Sequence, residues 1–189
     1  MKKIFVLLFI MSIGVITSSC VNMFAVKELN ESAVEYINKG DYESAIARLE
    51  SSVDLDGNSY ETRYNLAYTY LKADKCDKAL ENIDIALKLA KTESPSAYYT
   101  KAVTLVCLAE NIYKKTDENG EKETIEYKDA DIKLQMEEKF VNYLMQANEN
   151  YSRYLELAPD AKDAKEIQAE IERNNLEIDK LKDENKSNE

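Results

Sequence analysis

Three cysteines are the side chains of this 189-residue chain that are best suited to covalent chemistry: Cys20, Cys76 and Cys107. A thiolate can act as a nucleophile, bind a metal or exchange with a disulfide. The chain contains no histidine, however, so the usual general base and the commonest metal ligand are both missing. We therefore predict no enzymatic activity and no metal or other cofactor.

The 36 Asp and Glu residues are the other candidates for chemistry. Carboxylates on helix surfaces are usually solvated, and no partner base or convergent pocket is indicated, so a carboxylate-based hydrolase is only a remote alternative. The formal net charge is −11 and the sequence pI is about 4.7. Because phosphate binding needs a basic surface, this charge argues against nucleic acid as a partner.

The first twenty residues have the pattern of an export signal. Two lysines precede an apolar run over residues 4–16, and the small residues 17–19 lead into Cys20. Small residues directly before a cysteine resemble the lipobox of bacterial lipoproteins. This resemblance implies that residues 1–19 are removed as a signal peptide and that Cys20 becomes the lipidated first residue.

Residues 20–25 would then be the lipidated cysteine and a short tether. The alternative is an uncleaved anchor, because residues 21–26 extend the apolar character to nearly bilayer-spanning length. Both alternatives place the rest of the chain outside the cytoplasm and attach it to a membrane. Val21 is not the aspartate that lipoprotein sorting rules associate with retention in the inner membrane. The lipoprotein resemblance therefore implies the outer membrane, if the organism has one.

A 34-residue interval organises the rest of the sequence. Six small or apolar positions recur after this interval: Ala33, Tyr36, Ala45, Leu49, Ser52 and Leu55 return as Ala67, Tyr70, Ala79, Ile83, Ala86 and Leu89. The period is the length of one helix–turn–helix unit, and small side chains let two antiparallel helices approach closely. From about Val26 to Pro159 the pattern resembles the tetratricopeptide repeat (TPR).

The TPR resemblance implies an all-α fold, a right-handed α-solenoid of three helix pairs closed by a C-terminal capping helix. The array is expected over residues 26–159, with boundaries at about 26–59, 60–93 and 94–159. The capping helix is expected at 160–182, followed by a disordered tail at 183–189.

An insertion at about residues 113–128 interrupts the third pair and is expected to lengthen both of its helices. A degenerate extra repeat would fit the spacing, but its second helix would have to cross a stretch without an apolar face. At the tip, Asn119 and Gly120 form a strong hairpin-turn signal. A β-hairpin and a mobile loop both stay open, as do a binding role for this tip and a merely solvated one.

The inner face of a TPR array is a groove, and the resemblance assigns its lining to outward positions of the first helix of each pair. We call this surface the groove. It comprises Asn30, Val34, Ile37, Asn38, Tyr64, Tyr68, Leu71, Lys72, Tyr99, Val103 and Val106. The lining is mostly apolar and aromatic, which suits an amphipathic helix or an extended peptide. It lacks the converging Asn and basic residues of chaperone-binding TPR clamps, so we do not predict capture of a chain terminus.

Two alternatives for the groove stay open. The array's own N-terminal segment or C-terminal helix could fill it, since exposed apolar patches tend to be covered. The tyrosines could also bind a small molecule.

The TPR arrangement brings two cysteines close together. Cys76 opens the second helix of pair two and Cys107 lies late in the first helix of pair three, and these helices are expected to pack antiparallel. A disulfide in an oxidising compartment and two small buried thiols are both open.

These observations predict a membrane-anchored TPR adaptor that binds a protein or peptide partner in the bacterial cell envelope. Its work would be the assembly or regulation of an envelope complex. A lipoprotein that binds a small molecule in its tyrosine-lined groove is the alternative.

Overall fold

The computed structural model describes residues 22–116 and 122–186. In chain order the elements are α1 (22–38), α2 (Tyr42–Leu55), α3 (Tyr60–Lys72), α4 (Cys76–Leu89), α5 (Pro95–Ile112), β1 (Lys114–Thr116), β2 (Lys122–Thr124), α6 (Ala130–Leu157) and α7 (Ala164–Lys186). From α2 to α7, each helix packs against the next helix in the chain. The all-α solenoid of three helix pairs and a capping helix is therefore confirmed. None of the described helices is both long and apolar enough to span a membrane.

The alanines of the 34-residue interval lie where the helices approach each other. They are fully buried, each with 0% of its surface exposed: Ala33, Ala45, Ala67 and Ala79. Leu49 and Tyr70 fill the space around these small side chains in the first two pairs. The repeated sequence thus encodes close helix contacts, as ridges of large residues fit beside small ones.

Local turn chemistry separates α1 from α2. Gly40 has a φ of 74°, a left-handed conformation that costs glycine little because it has no Cβ. Asp41 then caps α2, since its carboxylate accepts a hydrogen bond of 3.1 Å from the Ser44 backbone N–H. The hydrogen bonds that Asp41 accepts from Ser44 lower the pKa of the Asp41 carboxyl.

The third pair is long and contains the insertion. Helix α5 has 18 residues and α6 has 28, and no further helix lies between them in the residues that the structure describes. Strands β1 and β2 pair antiparallel, with Lys114 opposite Thr124. The Tyr127 hydroxyl donates a 2.6 Å hydrogen bond to the Ile112 carbonyl. The flanks of the insertion therefore form a hairpin ladder that is fastened to the end of α5.

The predicted boundaries at both ends of the array need correction. Residues 22–25 were expected in a tether, but they are already helical. They contain neither glycine nor proline, so nothing interrupts the helix before Val26. The capping helix begins at Ala164 rather than at 160, and it continues through residues 183–186, which were expected to be disordered.

Packing explains why α7 extends so far. Ile178 is only 4% exposed, and Leu181 packs against the same cluster around Phe140. These contacts hold the second half of α7 against the end of the array, so the helix persists into its last charged turn.

Candidate functional site

The groove presents apolar and aromatic side chains to solvent. Val34 on α1 is 41% exposed and Tyr99 on α5 is 36% exposed. Between them, Tyr64, Tyr68 and Leu71 on α3 are half-buried, and α3 contacts α5 directly. Such partly exposed rings can supply contact area to a ligand while their edges remain anchored in the fold.

The middle of the groove carries one cation on an aromatic ring. Lys72 Nζ lies 5.4 Å from the centroid of the Tyr68 ring, within the range of a cation–π interaction. On α1, Asn38 is exposed, whereas its neighbour Ile37 is half-buried against the core cluster that contains Leu49. The predicted lining thus combines apolar, aromatic and polar surface.

Tyr99 belongs to a cluster of three tyrosines. Its ring centroid lies 5.4 Å from that of Tyr154 and 6.1 Å from that of Tyr151. The Tyr154 hydroxyl donates a 2.6 Å hydrogen bond to Asp163, which precedes α7. This hydrogen bond, together with burial, raises the pKa of Tyr154 to about 12. The aromatic cluster is therefore held against the start of the capping helix.

Three carboxylates lie beside this end of the groove. Burial, followed by the negative charges of Asp163, Glu166 and Glu170, raises the pKa of Tyr99. Asp163 directly precedes α7, and Glu166 and Glu170 follow it at i+3 and i+7, so the three carboxylates share one side of the start of this helix. We did not predict them as site residues; their common spacing in the expected capping helix was the available signal.

Two predicted lining residues pack against α7. Val103 and Val106 are half-buried in a cluster with Ile167 and Ile171 of that helix. This cluster therefore covers part of the predicted lining at the C-terminal end of the groove, and the self-filling alternative stays open. Tyr99 remains partly open beside it.

Asn30 does not line the groove, contrary to the prediction. It is only 4% exposed, and its amide nitrogen lies 3.0 Å from Ser52 Oγ and 2.8 Å from Thr62 Oγ1. Asn65 Nδ2 approaches its amide oxygen at 3.4 Å. Asn30 thus joins α1, α2 and α3 through a buried polar cluster. A buried amide needs hydrogen-bond partners, and the side chains of Ser52, Thr62 and Asn65 supply them.

Replacing Asn30 with alanine should lower the free energy of unfolding by about 1–3 kcal/mol, because buried hydroxyls lose a partner. The matched control is Asn38→Ala on the same helix, an exposed position, where a change within about 0.5 kcal/mol is expected. Urea denaturation of both variants measures the difference. Equal stability of the two variants would contradict a structural role for Asn30.

Cys76 and Cys107 are joined in the structure as a disulfide, with their Cα atoms 6.3 Å apart. The bond links the start of α4 to α5. Asp74 Oδ1 lies 3.6 Å from Cys107 Sγ and 3.9 Å from Cys76 Sγ. The three side chains are close enough to hold a metal ion, but sulfurs bonded to each other are not available as thiolate ligands.

Some predicted features lie outside the described residues. They include the predicted signal peptide at 1–19, the lipidation site Cys20, the insertion tip at Asn119 and Gly120, and residues 187–189 of the predicted tail. A cleft of about 650 Å³ lies elsewhere, between α5, α6 and α7, and is lined by residues that include Tyr113, Phe140 and Leu176. None of the predicted groove residues lines this cleft.

Comparison with known proteins places this architecture among the helical repeat proteins. The model of the tetratricopeptide repeat matches residues 36–102. The TPR domain of Arabidopsis OM64 is similar at a TM-score of 0.59 and 15% identity, over 80% of this chain and 98% of that one. The first TPR of Spaghetti (RPAP3), bound to the HSP90 peptide SRMEEVD, is similar at a TM-score of 0.56 and 19% identity, over 80% and 90%.

The fold is therefore that of a TPR domain, as predicted, and residues 36–102 carry the repeat sequence itself. The chitin biosynthesis protein CHS6 of Saccharomyces cerevisiae is 34% identical over 80 residues, which cover 42% of this chain. The match spans about a tenth of that protein's length.

Proposed function

We propose that this protein is an adaptor whose groove binds a peptide or helical segment of a partner protein. The observation that carries the proposal is the open aromatic and apolar surface from Val34 to Tyr99. A TPR domain of the same fold, that of Spaghetti (RPAP3), is bound to a peptide. Apolar grooves with tyrosine edges suit an amphipathic helix or an extended chain.

We also propose that the adaptor works in a bacterial cell envelope, attached through a lipid on Cys20. The support is the sequence of residues 1–20, with its basic start, apolar run and small residues before the cysteine. Helix α1 has begun by residue 22, so the array would lie close to the bilayer. Because the chain carries a net negative charge, anionic lipids do not attract it. Its attachment to the membrane therefore depends on the lipid anchor.

Crosslinking in living cells tests both parts. A photo-reactive amino acid is placed at Tyr64 or Tyr68 in the groove, and at the exposed Arg48 on α2 as the matched control. We expect one protein to be captured from the groove positions and not from Arg48. An alkyne fatty acid supplied to the same cells should label the wild-type protein but not a Cys20→Ser variant.

Crosslinks from the groove positions that stay within the chain itself would contradict the adaptor proposal. Absence of the fatty acid from the wild-type protein would contradict the lipid anchor. The two results are independent, because the groove can be occupied whether or not the chain is lipidated.

A further inference from the structure

The C-terminal end of the groove combines an open aromatic ring with negative charge. Tyr99 is 36% exposed, and the rings of Tyr151 and Tyr154 support it from the side of α6. The face of a tyrosine ring attracts a cation, and the attraction grows when carboxylates are close. This end therefore differs chemically from the rest of the apolar lining.

The carboxylates near Tyr99 are held in place by their own contacts. Asp163 accepts the Tyr154 hydrogen bond, and Glu170 is paired with Arg173 one turn further along α7. Glu166 lies between them on the same side of the helix, is exposed, and has its neighbour Ile167 buried in the cluster beneath it. Glu166 is thus the carboxylate best placed to meet an incoming charge.

Other tyrosines of the described chain already carry a cation. A lysine Nζ lies 5.3–5.6 Å from the ring centroid of each of these four: Tyr36, Tyr68, Tyr70 and Tyr143. Within the described residues, no lysine or arginine lies over the ring of Tyr99, although Asp163 is bound to the hydroxyl of Tyr154, whose ring centroid lies 5.4 Å from that of Tyr99. The aromatic and acidic parts of a cation site are present, and the described residues do not supply the cation.

We propose that Tyr99 and Glu166 form a specificity site for a lysine or arginine side chain of the segment that occupies the groove. This inference rests on the proposed adaptor function and names the chemistry of its partner. The segment is basic at the position that meets Tyr99 and apolar where it meets Tyr64, Tyr68 and Val34. Charge complementarity with a chain of net charge −11 favours such a segment over an acidic one.

The test uses dye-labelled synthetic peptides and the full chain as purified from cells in mild detergent. One short amphipathic peptide carries leucine and tyrosine at helical spacing with arginine at its polar positions. Two matched peptides carry glutamine or glutamate there instead. Fluorescence anisotropy gives the dissociation constants at low and high salt.

We expect the arginine peptide to bind at least about 10-fold more tightly than the glutamine peptide at low salt, with the advantage shrinking at high salt. Glu166→Gln should weaken the arginine peptide roughly 3- to 10-fold and leave the glutamine peptide unchanged. The matched control is Glu172→Gln, an exposed position on the same helix, which should have no effect. Tyr99→Leu should weaken the arginine peptide, whereas Tyr99→Phe should retain its affinity because the ring remains.

Equal affinity for the arginine and glutamine peptides would overturn this inference, as would an arginine peptide insensitive to Glu166→Gln. If the wild-type chain binds both peptides equally well and the Tyr68→Ala variant binds neither, this inference fails but the adaptor proposal survives. If no peptide binds and the groove captures no partner in cells, both proposals fail together.

Discussion

Replacing Leu49 with alanine should lower the free energy of unfolding by about 2–5 kcal/mol, the range for removing a large side chain from a packed core. Leu49 is 0% exposed and lies in the cluster that joins the first two helix pairs. Its loss removes buried apolar contacts and leaves a cavity that the surrounding helices fill only in part. Adjacent repeats contact each other through this cluster, so the loss should destabilise both pairs.

Leu55→Ala is the matched control for Leu49→Ala. Both leucines lie on α2 and both recur after 34 residues, so the sequence alone gives them equal weight. The structure separates them, because Leu55 is 40% exposed. Truncating it should cost less than about 1 kcal/mol, since much of its apolar surface is already in water. Urea denaturation at constant m-value measures both variants, and equal losses would contradict the packing described for α2.

The contrast between these leucines shows what the repeat could predict. A 34-residue interval identifies positions that share a role in each helix pair, and it located the buried alanines correctly. Small residues are informative because close helix approach leaves few alternatives. The interval does not say how far the neighbouring helix reaches. Leu55, the last residue of α2, is therefore more exposed than its place in the repeat implied.

The groove was predicted in outline rather than in detail. Val34, Tyr68 and Tyr99 lie on partly exposed surface of α1, α3 and α5, because outward positions follow from the helical period. Asn30 occupies an equivalent position in the pattern, yet it is buried. Its amide can satisfy two buried hydroxyls on α2 and α3, and such polar pairing between helices has no sequence period.

The acidic edge of the groove could not be predicted from the repeat at all. Asp163, Glu166 and Glu170 lie outside the repeated positions, and their distance from Tyr99 depends on how α7 packs against α5 and α6. That contact is long-range in sequence, and charged residues on a helix ordinarily indicate only a solvated face. Packing of the capping helix, rather than the repeat itself, thus determines the chemistry of this end of the groove.

The insertion illustrates the same limit on a smaller scale. The Asn119-Gly120 turn signal left a β-hairpin and a mobile loop open, and the structure has paired strands on its flanks. The hydrogen bond from Tyr127 to the Ile112 carbonyl was not indicated, because it joins residues on either side of the two strands. Whether the tip binds a partner stays a prediction.

Reducing the Cys76–Cys107 bond should lower the free energy of unfolding by roughly 3–4 kcal/mol in the chain-entropy model. The two cysteines are 31 residues apart, so reduction frees a loop of that length in the unfolded chain. Tm should fall by roughly 6–15 °C for a domain of this size. Thermal melts with and without a phosphine reductant measure the change, and the Cys76→Ser, Cys107→Ser double variant is the control, since reductant should not shift its Tm.

The redox state in cells decides whether this stabilisation operates. Protein from intact cells is alkylated without reductant and analysed by mass spectrometry. We expect Cys76 and Cys107 to be unlabelled without reductant and labelled after reduction. Labelling of both thiols without reductant would contradict the disulfide. Because disulfides persist mainly in oxidising compartments, an intact bond would also support export of the chain. A reduced pair would instead leave two neighbouring thiols beside Asp74, and α4 would be held against α5 by noncovalent contacts, among them the ion pair between Lys101 and Asp84.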